Sequence, residues 1–446
     1  MKKESLSKLL SGNWRECKLF KVNLSKEIED KHKAYFVKHV LPQLKASKEI
    51  DIIPYDNKIS NIKYDDQKTK EIYGEFIDFI VNEEIKNSSF STGRSDKLEK
   101  LNNEIKTKFP IIIDLLDKKI IRKDLNETIE LKEEIISSFG YDKFITVTFF
   151  DYFRKIACEE SGKTHYCDIV KNKMVDILCN TFPEDKIKIK NILKTKLNVN
   201  KFKEKLKELN EIGITIYNFN YLSLTANNVW NAYSFVFESG LRVCPYCNRQ
   251  YITPVLTSNG MMRADLDHIL PKMQYPYFSM SLYNIVPSCQ QCNQSLKGDK
   301  ETVINPYEEN INSLFEFIID EDGEVKTKNL DVNEKTQKYL EMFKIQLLYN
   351  YHKNQGVELV KKRIAYPEPY ITELYQKNKD YFKNETTFRE LIFGFFTEEQ
   401  KINQEAFSKF RRDIAGQLGI IEKKDSTQKD LTLLIENLKK YLDKLN

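Results

Sequence analysis

Apolar residues recur at helical spacing over most of this 446-residue chain, and the places where the rhythm breaks divide it into parts. Residues 1–50 read as helical, with Leu9, Leu10, Phe36, Val40 and Leu41 set among charges. Pro54 and a run of Asp, Asn and Ser interrupt the pattern over 51–68, and the small polar residues of 87–95 (NSSFSTGRS) read as a loop. Helical spacing resumes over 97–212. There Ile111, Ile112, Ile113, Leu115 and Leu116, and then Phe149, Phe150, Tyr152 and Phe153, form dense clusters that read as core. Residues 213–220 alternate as a short strand does, and 222–239 read as a helix with Gly240 placed to stop it. From 331 onward the pattern is helical to the end, broken near Pro367 and Pro369.

Between 241 and 305 the Lys/Glu helix pattern gives way to Cys, Pro, Asn, Gln and Gly. Residues 249–256 and 261–269 read as two strands of a hairpin turning at Ser258-Asn259-Gly260, since Asn-Gly between apolar runs is a strong turn signal. Residues 281–297 read as a loop entering a short helix. After Asn305-Pro306-Tyr307, FEFIID and EVKTK read as a second hairpin turning at Asp322-Gly323. The expected fold class is therefore α+β. A mainly helical region (1–240) precedes a small core (241–305), and a β-hairpin with further helices (306–446) completes the chain.

Composition narrows the function classes. With 31% charged residues, 14 Gly and 12 Pro, the chain reads as globular and helix-rich. No apolar run approaches the ~20 residues that span a bilayer. The amino terminus has a basic start but no apolar stretch or small-residue cleavage site, so a cytoplasmic protein without a membrane partner is expected. The net charge of +5 permits nucleic-acid binding without demanding it. Cys17, Cys158, Cys167 and Cys179 show no ligand spacing and read as ordinary thiols.

The other four cysteines carry chemistry. Cys244-Pro-Tyr-Cys247 and Cys289-Gln-Gln-Cys292 form two CxxC knuckles separated by 41 residues. A two-residue spacer lets both thiolates reach one ion, and two such pairs supply the tetrahedron a structural Zn²⁺ requires. Between the knuckles lies Asp267-His268-Ile269-Leu270-Pro271; Asn284 comes next, and the second knuckle continues into Asn293 and Lys297. A neutral imidazole such as His268 is suited to take a proton from water. Asp267 is a hard oxygen ligand for Mg²⁺ or Mn²⁺, and Asn293 offers a carbonyl oxygen. Lys297, one turn beyond Asn293, is a candidate phosphate contact, with a solvated surface lysine as the plainer reading. Arg242, Arg249 and Arg263 are ordinary surface arginines unless they face nucleic acid; His32, His39, His165 and His352 have no matching context.

In order, spacing and residue type these residues resemble the HNH endonuclease family, in its zinc-stapled branch. The resemblance covers about 60 residues. It implies a ββα unit, too small to hold its geometry alone, with each end tied to one zinc. His268 is then the general base, and Asp267 and Asn293 hold one divalent cation. Asn284 orients the loop carrying the base, although its own oxygen also makes it a lesser candidate ligand. The trailing INPYEEN and FEFIIDEDGEV resemble, more weakly, the segments carboxy-terminal to the nuclease core in retron-associated and Septu-type HNH proteins of bacterial anti-phage systems. That implies an antiviral-defence effector acting with an ATPase or other sensor protein in trans, since this chain has no G-x-x-x-x-G-K-[ST]. The expected activity is metal-dependent hydrolysis of phosphodiesters in nucleic acid, DNA before RNA. A stand-alone restriction-like or homing-type DNA endonuclease, and a non-catalytic zinc module that binds nucleic acid, are the two other readings.

Overall fold

The computed structural model describes residues 22–48, 53–54, 66–122, 127–145, 154, 157–158, 160–163, 166–181, 183–193, 198–211, 230–256, 261–330, 334–382, 384–394, 399–421 and 428–445. The expected strand over 213–220, the aromatic cluster at 149–153, His165 and the turn at 258–260 lie outside them.

Ser25 caps the first helix by accepting the backbone N–H of Ile28. Lys26–Tyr35 then runs through a π-helical stretch, Phe36–Val40, into Leu41–Ser47. Ile28, His32, Phe36, Val40 and Leu44 recur every four residues and are all buried, so one stripe faces the core. The long helix Asp66–Asn87 brings Tyr73, Phe76, Ile77 and Ile80 to the same core. Residues 87–95 are not simply a loop. Ser89–Thr92 make a short helical turn because the buried Glu84 carboxylate accepts the N–H groups of Phe90 and Ser91.

The helical pattern over 97–212 is also interrupted by strands. β1 (Ile53–Pro54), β2 (Lys119–Arg122) and β3 (Glu127–Glu130) form an antiparallel sheet in that order. Residues 157–209 add a separate helical cluster around Val170, Met174, Leu178, Phe202 and Leu206. Past residue 230, Asn231 caps the helix Ala232–Glu238, and Gly240 stands just beyond it at φ +70° as the expected stop.

β4 (Val255–Leu256) and β5 (Met261–Met262) pair antiparallel, so the expected hairpin exists but is only two residues deep. Its second strand does not continue through 269. The chain re-forms as β6 (Asp265–His268), which pairs with β7 (Ile285–Ser288), a segment expected to be loop. Pro287 is tolerated there because β6 is the only described partner of β7, and one edge of β7 needs no donor.

β8 (Phe315–Ile319) and β9 (Val325–Asn329) form the second expected hairpin, with Gly323 at φ +70° in its turn. Phe315, Phe317 and Ile319 point inward onto the helix Ser408–Gln417. Asp413 and Gln417 of that helix accept the N–H groups of Phe317 and Ile319, satisfying the strand edge without another strand.

The architecture is thus mostly helical with small sheets, and its largest apolar cluster draws residues from Val22 to Leu438. No described helix is long and apolar enough to cross a membrane.

Candidate functional site

The two knuckles meet. The Sγ atoms of Cys244, Cys247, Cys289 and Cys292 all lie within 4.8 Å of one another, and all four residues are buried. Cys247 and Cys289 Sγ are 3.9 Å apart. Four thiolates at ~2.3 Å from a tetrahedral Zn²⁺ stand ~3.8 Å from each other, so the donor set and its size fit a structural zinc ion. The described thiols outside the cluster, Cys158, Cys167 and Cys179, form no disulfide.

Local backbone chemistry builds the first knuckle. The N–H of Asn248 bonds the Cys244 carbonyl at 2.9 Å with Asn248 at φ +49°, a left-handed conformation Asn accepts readily. The Asn248 side chain donates to the Ile402 carbonyl at 2.9 Å and accepts from the Lys409 N–H at 3.1 Å, fastening the knuckle to the carboxy-terminal helices. Tyr349 donates to the Cys247 carbonyl at 2.8 Å, and Tyr339 to that of Tyr246.

The second knuckle opens into the π-type helix Gln291–Lys297, closed where the Gly298 N–H reaches the Asn293 carbonyl. Gly298 has φ +57° and ψ −136°, a combination only glycine adopts without strain. β6 and this helix, with Tyr141 and Ile145, wall a cleft of about 410 Å³, lined among others by Asp265, Asp267, His268, Lys272, Asn293 and Lys297.

His268 ends β6. Its Nε2 lies 3.0 Å from the Ser279 carbonyl oxygen. A carbonyl only accepts, so Nε2 carries the proton and the lone pair of the neutral ring sits on Nδ1. Tyr141 packs its ring edge-on at 4.9 Å and reaches the Leu266 carbonyl at 3.4 Å. Burial holds the imidazole neutral, its pKa pushed down to about 3, with Lys272 and Lys297 adding to the effect.

Asn284 is fully committed to the loop between β6 and β7. Its Oδ1 accepts the Leu270 N–H at 2.7 Å, and its Nδ2 donates to the carbonyls of Leu270 at 3.1 Å and Phe278 at 3.0 Å. Phe278 adjoins Ser279, so Asn284 fixes the loop whose next carbonyl fixes His268. The Asn284 oxygen is thus taken by backbone, and only 1% of the residue's surface is exposed.

Asp267 and Lys297 occupy positions the sequence did not suggest. Asp267 accepts from Tyr246 Oη at 2.6 Å and from Lys297 Nζ at 2.9 Å, and Lys297 also donates to the His268 carbonyl at 2.8 Å. The Lys297 side chain is 1% exposed, so it is neither a solvated surface lysine nor a free phosphate contact. Burial pushes the Asp267 carboxyl above the usual range, opposed by Lys297 and Tyr246.

Asn293 donates from Nδ2 to Asp265 at 3.1 Å, and Gln294 to the same oxygen at 2.9 Å. Asp265, Asp267 and Asn293 thus line one cleft. Asp265 was legible in principle, since strand positions two apart share a face. Tyr141 gave no sequence signal, being 127 positions from His268. Arg263 lines the cleft, whereas Arg242 and Arg249 do not.

No protein-family model matches the chain, and no solved structure matches it. Among curated proteins it is similar to Protein ea31 of Escherichia phage lambda, 33% identical over 87 residues, covering 16% of this chain and 29% of that protein. The chain therefore spans under a third of the length of the curated relative it matches.

Proposed function

We propose that this chain is a metal-dependent endonuclease of the zinc-stapled HNH type, hydrolysing phosphodiesters in nucleic acid, with DNA the favoured substrate. The observation that carries this reading is the His268 arrangement: Nε2 tied to the Ser279 carbonyl, Nδ1 left as the proton acceptor, and hard oxygen donors lining the same cleft. Asp267 and Asn293, with Asp265 beside them, would hold the divalent cation, which neutralises charge developing on the phosphate.

In the proposed reaction His268 Nδ1 takes a proton from water as the water oxygen bonds to phosphorus. The bond from phosphorus to the leaving oxygen breaks, and that oxygen leaves as a hydroxyl once protonated from solvent. Ser279 and Asn284 keep the imidazole oriented, and Tyr246 and Lys297 hold the Asp267 carboxyl in place. Cys244, Cys247, Cys289 and Cys292 would hold the zinc that joins the two ends of the unit.

The role of an anti-phage effector with an ATPase supplied in trans rests on the trailing segments. In INPYEEN, Tyr307 donates to the Ile285 carbonyl on β7, and Asn305 donates to Ser95 at 2.7 Å. These contacts give that segment a structural reason to accompany the strand pair.

The test is incubation of the pure protein with duplex DNA, single-stranded DNA and tRNA in Mg²⁺ or Mn²⁺, beside His268→Ala carrying its full zinc content. Divalent-dependent cleavage that disappears in the variant is expected. Undiminished cleavage by zinc-loaded His268→Ala would remove His268 from the reaction, and zinc-dependent nucleic-acid binding with no cleavage would favour a non-catalytic module.

A further inference from the structure

Lys297 is consumed inside the protein, so the phosphate backbone of a substrate must meet other cations. Two side chains lining the cleft are cationic and have no carboxylate at ion-pair distance among the described residues: Lys272 and Arg263. The Lys272 ammonium stands 4.4 Å over the Tyr141 ring. Arg263 donates to the backbone carbonyls of Ala264 and Ile145 and lies 5.8 Å from the Tyr233 ring. Both residues are half-buried. Elsewhere, cations of similar or greater burial such as Lys132 and Lys409 are paired with carboxylates.

Holding a charge partly out of water without a counter-ion costs free energy. Burial accordingly lowers the Lys272 pKa, with Asp142 and Asp299 too distant to offset it fully. An aromatic ring beneath the ammonium returns part of that cost and fixes its direction.

We propose that Lys272 and Arg263 bind two backbone phosphates of the nucleic acid, one on each side of the bond presented to His268. They flank β6, Arg263 before its first residue and Lys272 beyond its last. The four-residue strand between them spans ~10 Å, about three steps of ~3.4 Å along one DNA strand. Asp265, Asp267 and Asn293 lie between them in sequence or across the cleft, where the scissile phosphate would meet the cation. The inference deepens the nuclease reading, and its test separates the two.

The probe is a fluorescent 20-base-pair DNA duplex with Ca²⁺ in place of Mg²⁺, bound at a series of salt concentrations. Each lost phosphate contact lowers the slope of log K against log salt by about 0.9. Lys272→Gln and Arg263→Gln are each expected to lower the slope by that amount, and the double variant by about twice it. Lys338→Gln, on a helix outside the cleft, is expected to leave the slope unchanged. Circular dichroism and zinc content report whether each variant is folded.

Wild-type slopes retained by both folded cleft variants would overturn the phosphate assignment and leave the nuclease reading standing. Reduced slopes with no cleavage of the same duplex in Mg²⁺ or Mn²⁺ would uphold the phosphate contacts and overturn catalysis. Failure of the wild-type protein to bind the duplex would overturn the phosphate assignment, while cleavage of single-stranded DNA or tRNA would still decide the nuclease reading.

Discussion

Asp267 and Lys297 are the clearest case of a side chain whose surroundings redefine it. Their side chains are 2% and 1% exposed, and each is the other's counter-charge. Breaking a buried pair by removing one partner leaves an uncompensated charge and typically costs ~3–5 kcal/mol. Lys297→Ala is expected to lose stability in that range in denaturant titration; a loss under ~1 kcal/mol, the usual worth of an exposed pair, would contradict the buried geometry. Tyr246→Phe keeps the ring stacked on Phe343 at 4.7 Å and removes only the hydroxyl that donates to Asp267. It should retain zinc stoichiometry while weakening the affinity for the divalent cation in cleavage, read as a higher Mg²⁺ concentration for half-maximal rate. Asn284→Ala leaves two carbonyls and one N–H without their side-chain partner. A loss of ~1–3 kcal/mol is expected, with kcat falling more than KM because the loop carries the carbonyl that orients His268.

The short elements depend on their staples. β6 and β7 are four residues each, and the helix beyond the second knuckle has seven. Strands of that length on a two-stranded sheet are marginal unaided, so stripping zinc with a chelator is expected to abolish protection of the β6 and β7 amides in hydrogen exchange. Persistence of that protection in zinc-free protein would mean that the surrounding core alone suffices. The meeting of the two cysteine knuckles was legible because residue type, order and short spacing encode it. Lys297 was misplaced because a lysine one turn along a helix looks exposed until the fold closes over it. The pairing of β6 was hidden by the stronger local signal of Asn259-Gly260; the segments flanking that dipeptide do pair, but over only two residues each. β1 and β2 were hidden for another reason: they pair across an intervening helical stretch, and β1 is only two residues long.

Across the whole molecule, the amino-terminal helices clasp the loop between β6 and β7. Tyr283 is held by Arg94 and Glu29, Tyr277 donates to Asn102 at 2.7 Å, and His32 lies 2.8 Å from the Met280 carbonyl. Trp230 donates to His32 Nδ1 at 3.0 Å, so the neutral ring must carry its proton on Nε2. Burial pushes the His32 pKa down from 6.5 to about 4. The unfolded chain therefore binds a proton that the folded one refuses. The stability this group contributes is whole above pH 6.5 and lost as pH falls from there toward 4, amounting to about 2 kcal/mol by pH 5. Urea titrations at pH 7 and pH 5 should show a smaller drop for His32→Gln than for the wild type; equal drops would deny the shift. The same contact has a mechanical side. His32 grips the carbonyl of Met280, and His268 is gripped by the carbonyl of Ser279. Peptide units are rigid planes, so between those two carbonyls the backbone turns only at the two torsions of Met280. A push on that helix by another protein would reach His268 through two hydrogen bonds and one residue.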